Sequence, residues 1–134
     1  LQTIFSQEFP VTEITEFRIT STDTLTSLDF VMVDALSFER VRFTPGPISI
    51  EAIADYFFFH SQNSLTEMTI HQSQLTSLGF PFVMLNGFSR LQRLDLFSSE
   101  LTAIPDIHSQ SLENLVLSHA NITSLNVGRF LFLL

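Results

Sequence analysis

Four histidines are the side chains of this sequence best suited to metal binding or acid–base catalysis: His60, His71, His108 and His119. His71 and His119 fall at the ends of predicted strands that lie two strands apart, which separates them by roughly 10 Å, too far to share a metal ion. His60 and His108 fall in connecting segments. The sequence has no Gly-x-Ser-x-Gly motif, no phosphate-binding loop and no dinucleotide-binding glycine pattern. We therefore predict no catalytic residue, no cofactor and no metal site.

Arginine supplies all six basic side chains of the chain. Four of the six alternate with apolar residues in the stretches ITEFRI, FERVRF and LQRLDL, and this alternation is typical of strands with one outward face. The outward positions of these strands and of LTEMTIH hold the candidate partner-binding residues, which are Arg18, Arg40, Arg42, Glu67, His71, Arg93, Asp95 and Phe97.

Two interpretations of these charges remain open. An arginine cluster can hold the carboxylates of a protein partner in two-pronged hydrogen bonds, with Phe97 as an apolar anchor. Alternatively, Glu16 pairs with Arg40, and Glu67 pairs with Arg42 or Arg93, across strands about 4.8 Å apart, which stabilises the sheet alone.

The strands are located by an internal repeat of apolar residues. LENLVL (112–117), LQRLDL (91–96) and LTEMTI (65–70) share apolar positions 1, 4 and 6. Positions 11 and 14 are apolar as well, as Ile122, Leu101 and Leu75, then Leu125, Ile104 and Leu78. Two earlier repeats begin at Ile14 and Phe38, and Phe130 and Leu133 indicate the start of a sixth. The pattern resembles the leucine-rich repeat.

The repeat predicts the α/β fold class, as a leucine-rich repeat solenoid of about five coils that start near residues 14, 38, 65, 91 and 112. A parallel β-sheet should line the concave side, because single strands of this kind bury their apolar face only by stacking. Residues 48–63 and 81–90 are long enough for short helices, residues 105–111 only for a 3₁₀ or extended piece, and Pro45-Gly46-Pro47 for a turn. Hydroxyl groups at position 9, such as that of Ser73, should partly replace the asparagine ladder of the family.

Composition favours one domain over residues 1–134 and excludes several partners. The net charge of -8 argues against nucleic acid, and the longest apolar runs are too short for a membrane span. The 15 phenylalanines indicate an interior filled by large rings without polar groups. Because the chain begins at Leu1, we expect a fragment of a longer repeat array.

Asn121 lies in Asn-Ile-Thr, the acceptor pattern for N-glycosylation. About one such match is expected by chance in a chain rich in Ser and Thr, so the pattern is weak evidence for secretion. Asn121 is therefore only a glycosylation candidate.

Three segments add a more specific resemblance: FPVTEITEFRITST, SFERVRF and the long run from SLTEMTIHQSQL to LTAIPDI. Together they resemble the arthropod family named after the non-catalytic subunit of Oplophorus-luciferin 2-monooxygenase. The resemblance implies a secreted, non-enzymatic repeat protein that accompanies a catalytic partner.

We therefore predict a non-enzymatic extracellular recognition or scaffold module that binds a protein partner through its concave face. Two alternatives remain. One is a subunit that contributes residues to the active site of a monooxygenase or luciferase complex, and the other is an intracellular repeat adaptor.

Overall fold

The computed structural model describes residues 11–33, 35–44, 48–76, 78–97, 100–104, 107–117 and 124–125. The strands are β1 Thr12–Ile19, β2 Ser27–Leu28, β3 Leu36–Phe43, β4 Ala52–Ile53, β5 Glu67–His71, β6 Arg93–Phe97, β7 Ala103–Ile104, β8 Asn114–Val116 and β9 Ser124–Leu125. Short 3₁₀ helices occupy Phe30–Val33, Phe59–Ser61 and Phe82–Gly87. Within these ranges the connections consist of 3₁₀ helices, short strands and turns, so the short helices expected in residues 48–63 and 81–90 are 3₁₀ helices.

A five-stranded parallel sheet, in the order β1-β3-β5-β6-β8, is the main element of the fold. One row of the sheet places Glu16 beside Arg40, Arg40 beside Glu67, Glu67 beside Arg93 and Arg93 beside Asn114. These neighbours are 24, 27, 26 and 21 residues apart in the chain. The predicted parallel sheet is confirmed, and its register follows the spacing of the apolar repeat.

Shorter parallel contacts continue beyond the main sheet. Strand β2 pairs with β4 and β7 pairs with β9, and isolated bridges join Thr22 to Ile48 and Ile48 to Ser73. Successive connecting segments therefore run side by side, as the strands before them do.

The core lies on one face of the main sheet. Met68, Ile70, Leu94 and Leu96 are fully buried, and they occupy repeat positions 4 and 6 of β5 and β6. The corresponding residues of the outermost strands, including Phe17, are partly buried and pack against this core. The inward direction predicted for positions 4 and 6 is thus confirmed, since alternate residues of a strand face opposite sides.

Phenylalanine rings fill the core near β1 and β3. The Phe17 ring stacks on Phe38 at a centroid distance of 4.8 Å and meets Phe43 edge-on at 5.8 Å. Phe57 and Phe58 form a second edge-on pair at 4.7 Å, and Phe58 reaches Phe38 at 6.4 Å. Stacked and edge-on geometries are the favoured ones for aromatic pairs, which explains why this interior is built from phenylalanine.

Serine hydroxyl groups connect neighbouring repeats at the amino-terminal ends of the strands. Ser64 Oγ donates to the Phe38 carbonyl at 2.9 Å, and Ser111 Oγ donates to the Leu91 carbonyl at 2.8 Å. Both serines precede position 1 of their repeat, and both carbonyls belong to position 1 of the preceding repeat. At position 9, where we predicted such bonds, Ser73 Oγ is buried and has no hydrogen-bond partner. For Ser73 that prediction is wrong.

The predicted burial of Leu78 is also wrong, because this residue at position 14 of its repeat is 99% exposed. The amide groups of Gly79 and Phe80 both donate to the Thr76 carbonyl, at 3.1 and 3.0 Å, so the chain turns here and carries Leu78 outward. Phe80, which is 2% exposed, enters the core two residues later. A Cβ atom at Gly79 would lie 2.0 Å from the Glu51 carbonyl oxygen, so only glycine fits this turn.

Some predictions fall on residues outside the described ranges. These are the turn at Pro45-Gly46-Pro47 and the sixth repeat near Phe130 and Leu133. No helix among the described residues has the length and apolar character needed to cross a membrane.

Candidate functional site

The open face of the main sheet, opposite the core, carries the candidate residues. All eight predicted side chains lie on strands β1, β3, β5 and β6, and they alternate with core residues: Arg18, Arg40, Arg42, Glu67, His71, Arg93, Asp95 and Phe97. Residues 69, 114 and 116 complete this face on β5 and β8. The sheet thus brings together side chains that are more than seventy residues apart in the chain.

Glu16 is the centre of an ion-pair network on β1, β3 and β5. Its carboxylate contacts Arg18 Nη2 at 2.9 Å and Arg42 Nε at 3.4 Å. Arg42 also reaches Glu67 Oε1 at 4.0 Å, so one guanidinium group links two strands on either side. The predicted pairing of Glu67 with Arg42 is confirmed.

The ion-pair partner of Arg40 differs from the predicted one. Its Nη1 atom lies 3.7 Å from the carboxylate of Glu39, the residue before it, and Glu16 contacts Arg18 and Arg42 instead. The predicted pair between Glu16 and Arg40 is therefore wrong, because the long arginine side chains reach diagonal and adjacent carboxylates rather than the residue directly opposite.

Each of the four arginines on the open face has a carboxylate within 4.0 Å. Their side chains are nevertheless 40–49% exposed. Ion pairs this exposed contribute about 0–1 kcal/mol each. Each arginine can therefore leave its own carboxylate partner and pair with a carboxylate of another molecule at little cost.

Asp95 lies at the centre of a second cluster, on β5 and β6. Its Oδ2 atom is 3.5 Å from Arg93 Nη2 and 3.4 Å from His71 Nε2, whereas Oδ1 is buried without a hydrogen-bond partner. The His71 Nε2 atom is also enclosed, and its contact with Asp95 does not have hydrogen-bond geometry. The cluster therefore contains a carboxylate oxygen and a ring nitrogen with unused hydrogen-bonding capacity.

Phe97 stands directly beside His71 in the sheet register. The two ring centroids are 5.2 Å apart, with the planes inclined by 54°. This tilted pair forms an aromatic border along one end of the Asp95 cluster.

The burial of Asp95 is the feature that sequence analysis missed. Thr69 and Asp95 occupy outward strand positions, yet each is only 8% exposed. Both lie between longer side chains on the same face, such as Arg93 and His71. The available signal was the alternation of short and long side chains along β5 and β6, since long neighbours cover short ones on a sheet.

The charge of the open face differs from that of the chain. Arg18, Arg40, Arg42 and Arg93 stand against Glu16, Glu67 and Asp95, which leaves one positive charge, while the whole chain carries -8. The face thus avoids the excess of acidic groups found elsewhere on the molecule.

A groove among the connecting segments was not predicted. Its volume is about 270 Å³, and Phe58, Met84 and the exposed side chains of Tyr56, Phe59 and Val83 line it. It lies between the segment after β4 and the 3₁₀ helix Phe82–Gly87, away from the open face.

Within the described ranges, no group of three or more His, Cys, Asp or Glu side chains is arranged to hold a metal ion. The glycosylation candidate Asn121, and His119, lie outside those ranges.

The comparison with known proteins gives one relationship. No protein-family model matches the chain, and no solved structure matches it. The chain is similar to the "Oplophorus-luciferin 2-monooxygenase non-catalytic subunit" of Oplophorus gracilirostris, with 27% identity over 130 residues. The alignment covers 97% of this chain and 35% of the relative, so the chain spans about a third of that protein's length. The relationship indicated by the sequence resemblance is supported by this similarity.

Proposed function

We propose that the chain is a non-enzymatic extracellular recognition module that binds a protein partner through the open face of its sheet. In this proposal, residues 1–134 are a single leucine-rich repeat domain of about five coils, which forms part of a longer array. The open face is then the concave side of a solenoid, a surface that such folds commonly use for binding.

The observation that carries the proposal is the row of half-exposed arginines on the open face. Arg18, Arg40, Arg42 and Arg93 hold carboxylates of the chain itself in weak, exposed pairs. An acidic loop of a partner can take the place of these carboxylates, and the pairs gain strength when the interface excludes water.

The relative's name supports the non-enzymatic part of the proposal, since that protein is a non-catalytic subunit. By this similarity, we propose that the partner is the catalytic protein of a luciferase-like complex. The resemblance and the acceptor pattern at Asn121 support an extracellular location.

Charge reversal tests the binding face. A variant with Arg40→Glu and Arg42→Glu should bind an immobilised candidate catalytic subunit about tenfold more weakly or worse in biolayer interferometry, because like charges then meet across the interface. Arg90→Glu is the matched control, because Arg90 is exposed and lies before β6, in a polar cleft at the amino-terminal ends of the strands.

Unchanged affinity of the folded double variant would contradict the role of the open face. Turnover of luciferin by the purified chain alone would contradict the non-enzymatic role. Circular dichroism establishes that each variant retains its fold.

A further inference from the structure

The buried carboxylate of Asp95 has one oxygen that receives no hydrogen bond. The residue is 8% exposed, and its Oδ1 atom has no hydrogen-bond partner. A buried acceptor without a donor lowers the stability of the folded state, by about 1–3 kcal/mol and more when the group is charged. This cost is removed when another molecule supplies the donor.

The neighbours of Asp95 in the sheet do not supply that donor. Thr69 lies beside it on β5, but the Thr69 hydroxyl donates to Glu67 Oε1 at 3.4 Å. Val116 lies beside it on β8 and has an apolar side chain. The unsatisfied, enclosed acceptor therefore lies beside residues that are already bonded or apolar.

The surrounding charges favour a neutral donor over a cation. The guanidinium group of Arg93 lies 3.5 Å from Asp95 Oδ2, and Arg42 lies 4.0 Å from the neighbouring Glu67. The two carboxylates thus have two cations beside them. Because these charges balance, an incoming ammonium group gains little net attraction and loses its hydration, whereas a hydroxyl group adds no charge and is desolvated at lower cost.

The aromatic border favours a donor carried on a ring. His71 and Phe97, with centroids 5.2 Å apart, lie at the end of the cluster where His71 Nε2 approaches Asp95. A phenol fits both features, because its ring packs against aromatic groups while its hydroxyl donates a hydrogen bond.

We infer that Asp95 Oδ1, bordered by His71 and Phe97, accepts a hydrogen bond from a tyrosine hydroxyl of the protein partner after the half-exposed Arg93 side chain has moved aside. The inference rests on the proposed function, because it places a tyrosine of the partner on the open face. Tyrosine is enriched among the residues that contribute most to interface affinity.

Amino-acid amides test the chemistry without the partner. Titration of the ¹⁵N-labelled chain with N-acetyl-tyrosinamide should shift the backbone NMR signals of His71, Asp95 and Phe97. N-acetyl-phenylalaninamide, which lacks the hydroxyl, should bind about tenfold more weakly at these residues, since a hydrogen bond to a charged acceptor is lost. N-acetyl-lysinamide should also bind more weakly than the tyrosine compound.

Asp95→Leu separates a binding role from a structural one. The variant should lose the preference for tyrosine over phenylalanine, yet its urea midpoint should not fall, because an unsatisfied buried carboxylate is replaced by an apolar group of similar size. Asp95→Asn retains an acceptor oxygen and should keep part of the preference. If Asp95→Leu does not fold, the wild-type comparison and Asp95→Asn still decide the outcome.

Equal affinities for the tyrosine and phenylalanine amides would overturn the inference. So would tighter binding of the lysine amide, or signal changes centred on Val83 and Met84 in the groove. The two proposals can also fail separately. If charge reversal at Arg40 and Arg42 leaves the affinity for the partner unchanged, the proposed binding face is overturned. If the chain still prefers the tyrosine amide in that case, Asp95 remains a site that accepts a phenol hydroxyl.

Discussion

Arg42 contacts Glu16 across β1 and β3, although the residue directly beside Arg42 in the sheet register is Arg18. The Glu16 carboxylate lies 3.4 Å from Arg42 Nε and 2.9 Å from Arg18 Nη2. Two arginines that would repel each other thus share one anion. Glu16 is therefore the residue that allows like charges to stand side by side on adjacent strands.

Removing this shared anion should destabilise the fold modestly and in a salt-dependent manner. Glu16→Gln is expected to lower the free energy of unfolding by about 0.5–1 kcal/mol at low salt, because Arg18 and Arg42 then repel each other. The difference should shrink in 1 M NaCl. Urea unfolding at both salt concentrations measures it, with the exposed Glu113 changed to Gln as the control. An equal loss at both salt concentrations would show that repulsion is not the cause.

Gly79→Ala should be strongly destabilising. The added Cβ atom would lie 2.0 Å from the Glu51 backbone oxygen, and the Gly79 carbonyl accepts a hydrogen bond from Ile53 N at 2.8 Å, so the two segments cannot separate freely. We expect a loss of about 3 kcal/mol or more in chemical denaturation.

Gly87→Ala is the matched comparison for Gly79→Ala. Its added Cβ would meet Gln62 Nε2 at 2.7 Å, the end of a flexible side chain that can move aside. The loss should be below about 1 kcal/mol. Comparable losses for the two variants would show that the backbone contact is not decisive.

Gln72→Gly should stabilise the chain. Gln72 has a φ of 52°, and its amide and carbonyl groups bond to Phe97 O and Ile48 N at 3.0 and 3.1 Å, which hold it in this conformation. Relief of the left-handed strain should raise the free energy of unfolding by about 0.5–1 kcal/mol. Gln74→Gly is the control, because Gln74 is exposed and does not have a positive φ. This change should lower the stability of the protein. The reverse order of the two midpoints would refute the assignment of strain.

Ser111→Ala tests the serine bonds between repeats. Ser111 is half-buried, and its Oγ donates to the Leu91 carbonyl at 2.8 Å, with the Phe88 carbonyl at 3.2 Å. Loss of this hydroxyl should lower stability by about 1 kcal/mol. Ser89→Ala is the control, because Ser89 is exposed and its Oγ donates to Asn63 Oδ1 at 2.9 Å. This change should lower the free energy of unfolding by less than about 0.5 kcal/mol. Equal losses would indicate that bonding between repeats contributes little.

The sheet could be predicted from the sequence because its determinants are periodic. The spacing from Leu65 to Leu91 sets which residues of β5 and β6 pair, and the alternation from Met68 to Ile70 sets which face is buried. Both depend only on the order of apolar and polar residues, since a strand has a side-chain period of two.

The departures arise where local geometry outweighs the period. Leu78 follows the apolar spacing but lies in a turn closed by hydrogen bonds to Thr76. This turn directs the Leu78 side chain to solvent instead of the core. The diagonal contact of Arg42 with Glu16 depends on side-chain length, and the burial of Asp95 depends on the size of its neighbours. The spacing of apolar residues contains neither quantity, although side-chain size can be read from the residue types.

Tyr56 is the single tyrosine of a chain without tryptophan, and it is 69% exposed beside the groove of the connecting segments. The tyrosine fluorescence of the protein therefore originates from one position, which is remote from the open face. Quenching or enhancement of the Tyr56 emission reports occupancy of the groove, and a partner that covers only the sheet leaves the Tyr56 contribution unchanged. The molecule thus contains an internal optical probe that distinguishes its two surfaces without any label.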